Sequence, residues 1–156
     1  LEADLRALAA RYGLSEAKPL QQASESSRFS LFFTGYITQD KLIPIYKKAD
    51  VFVLAMVPEI HWGIPNVLLE AMASGLPIVT TDTGAIKEVC GEAVLYSQPN
   101  NSDDLQSKLE TLITTPDLRG SMANLARVRA AQKFDHQQIA QKIYKVYQEL
   151  CPSKKP

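Results

Sequence analysis

Apolar positions along the chain alternate between helical spacing and short unbroken runs. Leu1, Leu5, Leu8 and Tyr12 recur at helical spacing, which predicts an amphipathic helix over Leu1 to Tyr12 that Gly13 is placed to end. Residues 14–28 are polar and serine-rich (Ser24, Ser26, Ser27), a loop with room for a short turn. Phe29 to Thr34 is aromatic-rich and reads as a strand closed by Gly35, and Pro44 reads as the first position of a short helix through Lys48. Asp50 to Val57 is an almost uninterrupted β-branched and apolar run, the signature of a parallel strand covered on both faces. Pro77 to Thr81 repeats that pattern after an intervening helix, and Ala93 to Tyr96 gives a further short strand. This strand–helix–strand order predicts right-handed βαβ crossovers and an α/β fold, an open parallel sheet flanked by helices.

The remainder reads as helix. Leu105, Leu109, Leu112 and Ile113 share one face; Pro116 opens a second helix with Leu118, Met122 and Leu125. Asp135 is the expected N-cap of a last helix carrying Ile139, Ile143, Val146, Tyr147 and Leu150 on one side. Residues 1–150 are expected to form one domain and 151–156 a disordered tail. Opening on Leu1 without methionine, the chain reads as a fragment or a processed product.

Composition narrows the functional classes. With 156 residues the chain is long enough for a genuine core, and 46% hydrophobic with 22% charged residues is ordinary for a soluble domain. Lys+Arg and Asp+Glu balance at 17 each, so no net field favours nucleic acid. No apolar run is long enough for a transmembrane segment and no secretory leader is visible, which sets the expectation of a cytoplasmic protein. Cys90 and Cys151 are far apart, and His61 and His136 stand alone, so no metal site is expected.

Ligands of an open parallel sheet bind beyond the carboxyl ends of its strands. The loops leaving those ends are Thr34 to Ile37, Pro58 to Pro65 and Thr80 to Ala85. The second, carrying Gly63 and Ile64, runs into a helix whose first residues are Pro65 and Asn66, with Val67 next; its amino end would offer unpaired N–H groups to phosphate, and Gly63 lets backbone approach a ligand. Glu70 is the sharpest candidate, the only charged residue between Ile64 and Thr81. It shares a helical face with Asn66 and leans toward the ligand end, where a carboxylate can accept the hydroxyls of a ribose diol. The bland alternative is a solvated surface glutamate, which its apolar neighbours weaken. For Thr81-Asp82-Thr83-Gly84, contact with phosphate or sugar through Thr83 and Gly84 and a simple helix cap at Asp82 or Thr83 stand level.

Two stretches carry a family resemblance: G-Y-I-T-x-x-x-L-x-x-x-Y-x-x-A-D-V-F-V-L from Gly35, and G-I-P-N-V-L-L-E-A-M-A-S-G-L-P-I-V-T-T-D-T-G from Gly63. Together they resemble the retaining GT-B glycosyltransferases of the "glycosyl transferases group 1" family, over roughly residues 1–150. The resemblance implies two Rossmann-like domains about a cleft, this chain matching the C-terminal, donor-binding one without its first strands. It implies transfer of a sugar, hexose-type, from a sugar nucleotide (UDP- or GDP-linked) to a glycan or lipid-linked acceptor, with retention, no cofactor and no metal. Glu70 would be the second glutamate of the E-x7-E motif and bind ribose. Ile64, Pro65, Asn66 and Val67 would bring backbone to the diphosphate and sugar, and Thr34, Gly35, Tyr36 and Ile37 would line the base pocket.

Two departures stand out. Eight residues before Glu70 lies Trp62 instead of the family's first glutamate; Glu59 is a possible substitute, or Trp62 could stack on a sugar face. The G-R-x…K-G loop and the acceptor-binding N-terminal domain of the family are not in this sequence. The expectations are bare sheet edges that invite self-association, no turnover by the isolated chain, and in the whole enzyme a cytoplasmic place peripheral to the membrane. The alternative is a non-catalytic, degenerate nucleotide-sugar-binding or partner-binding module.

Overall fold

A computed structural model describes residues 2–12, 14–16, 30–57 and 63–151. It divides into two compact units, Leu1–Leu42 and Ile43–Pro156.

In the first unit, α1 (Glu2–Arg11) is followed by β1 (Ser15–Glu16), which pairs in parallel with β2 (Ser30–Leu31). The predicted α1 forms, but its stripe is only thinly covered. Ala9 is buried, whereas Leu5, Leu8 and Tyr12 are 43%, 44% and 76% exposed. The loop expected from residue 14 instead contributes β1, and the strand expected over Phe29 to Thr34 is limited to Ser30–Leu31 among the described residues. Gly13, Phe29 and most of the serine-rich segment lie outside the described residues. The Arg6 guanidinium sits 4.7 Å from the centre of the Phe33 ring, a cation–π contact.

The helix α2 (Gln39–Lys48) corrects the reading of Pro44 as a helix start, because Pro44 lies inside it. The Thr38 carbonyl accepts from Lys41 N at 3.0 Å and Leu42 N at 3.1 Å, so the helix opens a full turn earlier than the proline suggested. Pro44 cannot donate to the Asp40 carbonyl; both residues face solvent, where water supplies the missing donor.

In the second unit β3 (Phe52–Leu54), α3 (Asn66–Ala73), β4 (Ile78–Thr81), α4 (Gly84–Cys90) and β5 (Leu95–Ser97) alternate, and the strands form a parallel sheet in the order β3-β4-β5. Phe52 pairs with Ile78 and Val79 with Leu95. The central strand β4 is buried at every position. β3 is not covered on both faces as its apolar run suggested: Val53 is 41% exposed and Phe52 and Leu54 are half-buried. It is the last strand of this sheet among the described residues, so no neighbour covers its outer edge. Thr80 Oγ1 donates to Leu54 O at 2.9 Å and Thr81 Oγ1 accepts from Met56 N at 2.8 Å. These two hydroxyls extend the β3–β4 ladder by side chain and satisfy themselves inside the core.

The helices α5 (Ser102–Thr114) and α6 (Pro116–Lys133) pack on the sheet, and α3 packs against α6. α3 contributes Leu68, Ala71 and Met72, all fully buried, and burying each of the two larger side chains is worth about 1.5–3 kcal/mol. Its end is a Schellman motif, with Gly75 N donating to Met72 O and Leu76 N to Ala71 O. Cys90 Sγ lies 3.8 Å from Met72 Sδ, and burial pushes its thiol up to about 11, with the Arg129 charge pulling the other way. That thiol is a core group, whereas Cys151 is exposed. The last helix, α7 (His136–Leu150), begins as expected: Asp135 Oδ1 accepts from Gln138 N at 2.9 Å. No residue of α7 is buried. Among the described residues no helix is long and apolar enough to cross a membrane.

Candidate functional site

The loop after β3 and the start of α3 bring the sharpest sequence candidates together. Pro65, in extended backbone at φ −67 and ψ 122, is the N-cap and not the first helical residue, and α3 begins at Asn66. Pro65 offers no side-chain cap, and the first turn carries no acidic residue. Leu68 N bonds back to Pro65 O at 3.0 Å, which leaves the amides of Asn66 and Val67 at the open end. A helix start without a cap or a carboxylate among the described residues is chemically set for an anion. Gly63, Ile64 and Pro65 line a cavity of about 260 Å³ with Leu54 and Met56. The side chains that line it are apolar.

Glu70 is half-buried one turn further on. Tyr46, on the part of α2 that belongs to this unit, donates its hydroxyl to Glu70 Oε2 at 3.1 Å and approaches Val67 O at 3.5 Å. This is not the solvated surface glutamate of the bland reading. Glu70 also lines a cavity of about 400 Å³ with Leu69, Arg127, Phe134 and His136. Tyr46 itself is 5% exposed, its ring 6.0 Å from that of Phe52 and tilted by 60°. Burial, followed by the bond to Glu70 and its charge, pushes the phenol up to about 12, so the hydroxyl remains a donor throughout the physiological range. Tyr46 stands within the family string from Gly35 but had no role there. Its signal is the one hydroxyl on a helix face otherwise made by Leu42, Ile45 and Ala49.

The third loop separates its candidates. Thr83 occupies the N-cap position of α4, but its side chain makes no capping bond. Asp82 pairs with Lys87 Nζ at 3.0 Å and therefore does not act as the cap either. Gly84 is exposed at the start of this seven-residue helix. A third cavity of about 280 Å³ lies at the carboxyl ends of all three strands, lined by Met56, Thr81, Ser97, Gln98, Asn100 and Asn101 among others. Its hydroxyls and amides carry no charge, and α5 begins beside it with Asp103 and Asp104. Such a lining suits neutral hydroxyl-bearing groups better than phosphate.

Thr34, Gly35, Tyr36 and Ile37 belong to the first unit. Gly35 adopts φ +58, Thr34 Oγ1 donates to Gly35 O at 3.0 Å, and Tyr36 is 95% exposed. Glu59 and Trp62 lie outside the described residues.

The chain is similar to known proteins in sequence and in fold. The family profile described as "Glycosyl transferases group 1" matches residues 5–115. The D-inositol 3-phosphate glycosyltransferase of Corynebacterium jeikeium is 33% identical over 145 residues, 90% of this chain and 34% of that protein. The structure of Anabaena HepE in complex with UDP and glucose superposes with a TM-score of 0.70 at 21% identity, covering 94% of this chain and 36% of HepE. The C-terminal domain of a glycosyl transferase group 1 protein from Francisella tularensis superposes with a TM-score of 0.65 at 23% identity, covering 86% of this chain and 63% of that one. The chain thus spans about a third of the length of the curated relative it matches. Profile, relative and superpositions agree with the parallel sheet and its motifs: the chain belongs to the glycosyl transferases group 1 family and has the α/β fold of the GT-B glycosyltransferases.

Proposed function

We propose that this chain is the donor-binding part of a retaining glycosyltransferase that moves a hexose-type sugar from a UDP- or GDP-linked donor to a glycan or lipid-linked acceptor. The observation that carries this reading is the uncapped amino end of α3 with Glu70 one turn behind it, held by Tyr46. In this reading the Asn66 and Val67 amides receive the diphosphate, and the cavity under Gly63 to Pro65 accommodates the adjoining part of the donor. Glu70 accepts the ribose hydroxyls. The binding of UDP-glucose by HepE, a protein of the same fold, supports a sugar-nucleotide ligand. An acceptor site and the rest of the catalytic machinery would come from sequence beyond this chain, at a cytoplasmic membrane surface.

Titration of the 156-residue chain with a panel of UDP- and GDP-sugars, followed by NMR, tests this. Weak binding by at least one donor is expected, with Glu70→Ala weakening it about tenfold or more, the worth of hydrogen bonds to a charged group. A single-turnover assay should show no transfer. Failure of every donor to bind, or clear transfer by the isolated chain, overturns the reading.

A second reading, a non-catalytic nucleotide-sugar-binding or partner-binding module, is favoured by Trp62 standing eight residues before Glu70. Trp62→Glu in the full-length protein separates the two. A gain in transfer marks an enzyme with altered sugar contact, and no transfer in either form favours the module.

A further inference from the structure

A tyrosine used only for packing would do equally well as phenylalanine, because a buried hydroxyl without a partner costs stability. Here the hydroxyl reaches out of a packed ring to two groups on α3: the Glu70 carboxylate at 3.1 Å and, more loosely, the Val67 carbonyl at 3.5 Å. Those positions are one turn apart on the helix whose amino end forms the candidate donor seat. A glutamate has three side-chain torsions, and fixing them on binding is entropically costly. A ring wedged against Phe52 has far less freedom. A bond from the stiff partner to the flexible one pre-selects the orientation in which the carboxylate waits. The phenol's raised pKa keeps that bond donor-to-carboxylate at any pH at which the protein works.

Resting on the donor-binding reading above, we propose that Tyr46 is a positioning residue. It fixes the Glu70 carboxylate so that it accepts a ribose diol, and it thereby makes the site selective for ribonucleotides over their 2′-deoxy forms. A carboxylate offers about four lone-pair sites. Tyr46 occupies one on Oε2 and thereby restrains the orientation of the group, which gives the sites that accept the diol a preferred direction. A diol meets them with two donors; a 2′-deoxyribose meets them with one.

The test is a titration of UDP, GDP and their 2′-deoxy forms into the wild-type chain, Tyr46→Phe, Glu70→Gln and the double variant, followed by NMR. The wild type is expected to prefer the ribonucleotide about tenfold or more. Tyr46→Phe should weaken ribonucleotide binding roughly fivefold to tenfold and the deoxy form, with its single bond to Glu70, by clearly less, so the ratio falls. In the Glu70→Gln background the same change should leave the ratio unmoved. Both ligands see the same folded fraction, so partial unfolding does not alter the ratio, and a merely structural tyrosine would not lower it.

A measurement on the unmutated chain covers the case in which Tyr46→Phe fails to fold. With 13C-labelled tyrosine, the Tyr46 Cζ resonance should shift more with the ribonucleotide than with the deoxy form. An unchanged ratio in Tyr46→Phe, or equal shifts with the two ligands, overturns the proposal while leaving the donor reading intact. If the wild type binds none of the nucleotides, the donor reading falls and this proposal falls with it.

Discussion

Gly75 is at φ +72, in the left-handed region that a side chain resists. It occupies the C′ position of α3, where its amide closes on Met72 O at 3.0 Å and turns the chain so that Leu76 can bury directly before β4. A Cβ there would meet Arg127 Cδ at 3.6 Å and Ala123 O at 3.9 Å, which is ordinary contact, so space is not the constraint. Gly75→Ala is therefore expected to cost about 1–2 kcal/mol from backbone strain alone. Gly75→Asn should cost less, because asparagine tolerates that region. Urea unfolding measures both, and equal stability of all three proteins would show that the turn is not held as described. At this scale the sequence is most legible where one side chain acts locally. Asp135 caps α7 through a bond three residues away, and its type and position sufficed to predict it. Tyr46 lies 24 residues from Glu70, and only the packing of α2 and α3 could reveal their bond.

Local signals fared less well for whole elements. Pro44 looks like a helix start because proline suits that position, yet the Thr38 carbonyl opens α2 earlier and the helix runs through the proline. The strand read at Ala93 to Tyr96 begins at Leu95, because Ala93 N still bonds to Cys90 O at 3.1 Å within the turn out of α4. Ala93 and Val94 are buried nonetheless, so hydrophobicity could not separate turn from strand. The turn after α4 also depends on a distant residue. Arg129 of α6 donates through Nε to Val89 O at 2.5 Å and through Nη2 to Glu88 O at 2.8 Å, satisfying the carbonyl end of α4. Gly91, at φ +53, leaves room for that guanidinium, whose Cζ would lie 2.9 Å from an added Cβ. Arg129→Lys, which loses the fork that spans both carbonyls, is expected to cost about 1–3 kcal/mol. Gly91→Ala should cost at least as much, through strain and displacement of the guanidinium. In an Arg129→Ala background the clash disappears, so the two losses should sum to less than their separate values. Simple additivity in thermal or urea unfolding would show that the two positions are not coupled.

The order of strands and helices in the second unit was legible because a central parallel strand and its crossover helix must both present apolar side chains to the core, as Ile78 and Val79 of β4 and Leu68, Ala71 and Met72 of α3 do. The exposure of whole surfaces was not, since an apolar stripe reads the same whether or not something covers it. Bare sheet edges were expected, and β3 has one among the described residues, with Val53 and Val57 each 41% exposed. The larger apolar surface is on α7, where Ile143, Val146, Tyr147 and Leu150 are 51%, 52%, 65% and 73% exposed. Helical spacing places these four on one side, and contiguous apolar patches of this kind drive association. The isolated chain is therefore expected to self-associate, chiefly through α7 and less through β3. Sedimentation velocity across a series of loading concentrations should show a rising average mass. Ile143→Glu with Tyr147→Lys should suppress that rise while leaving the unfolding midpoint nearly unchanged, because neither side chain is buried in the monomer. Val53→Lys should suppress it less, since a lysine blocks pairing at the strand edge but leaves the helix face untouched. A monomer at every concentration would rule out both surfaces. Suppression by Val53→Lys alone would return the role to the sheet edge that the sequence first indicated.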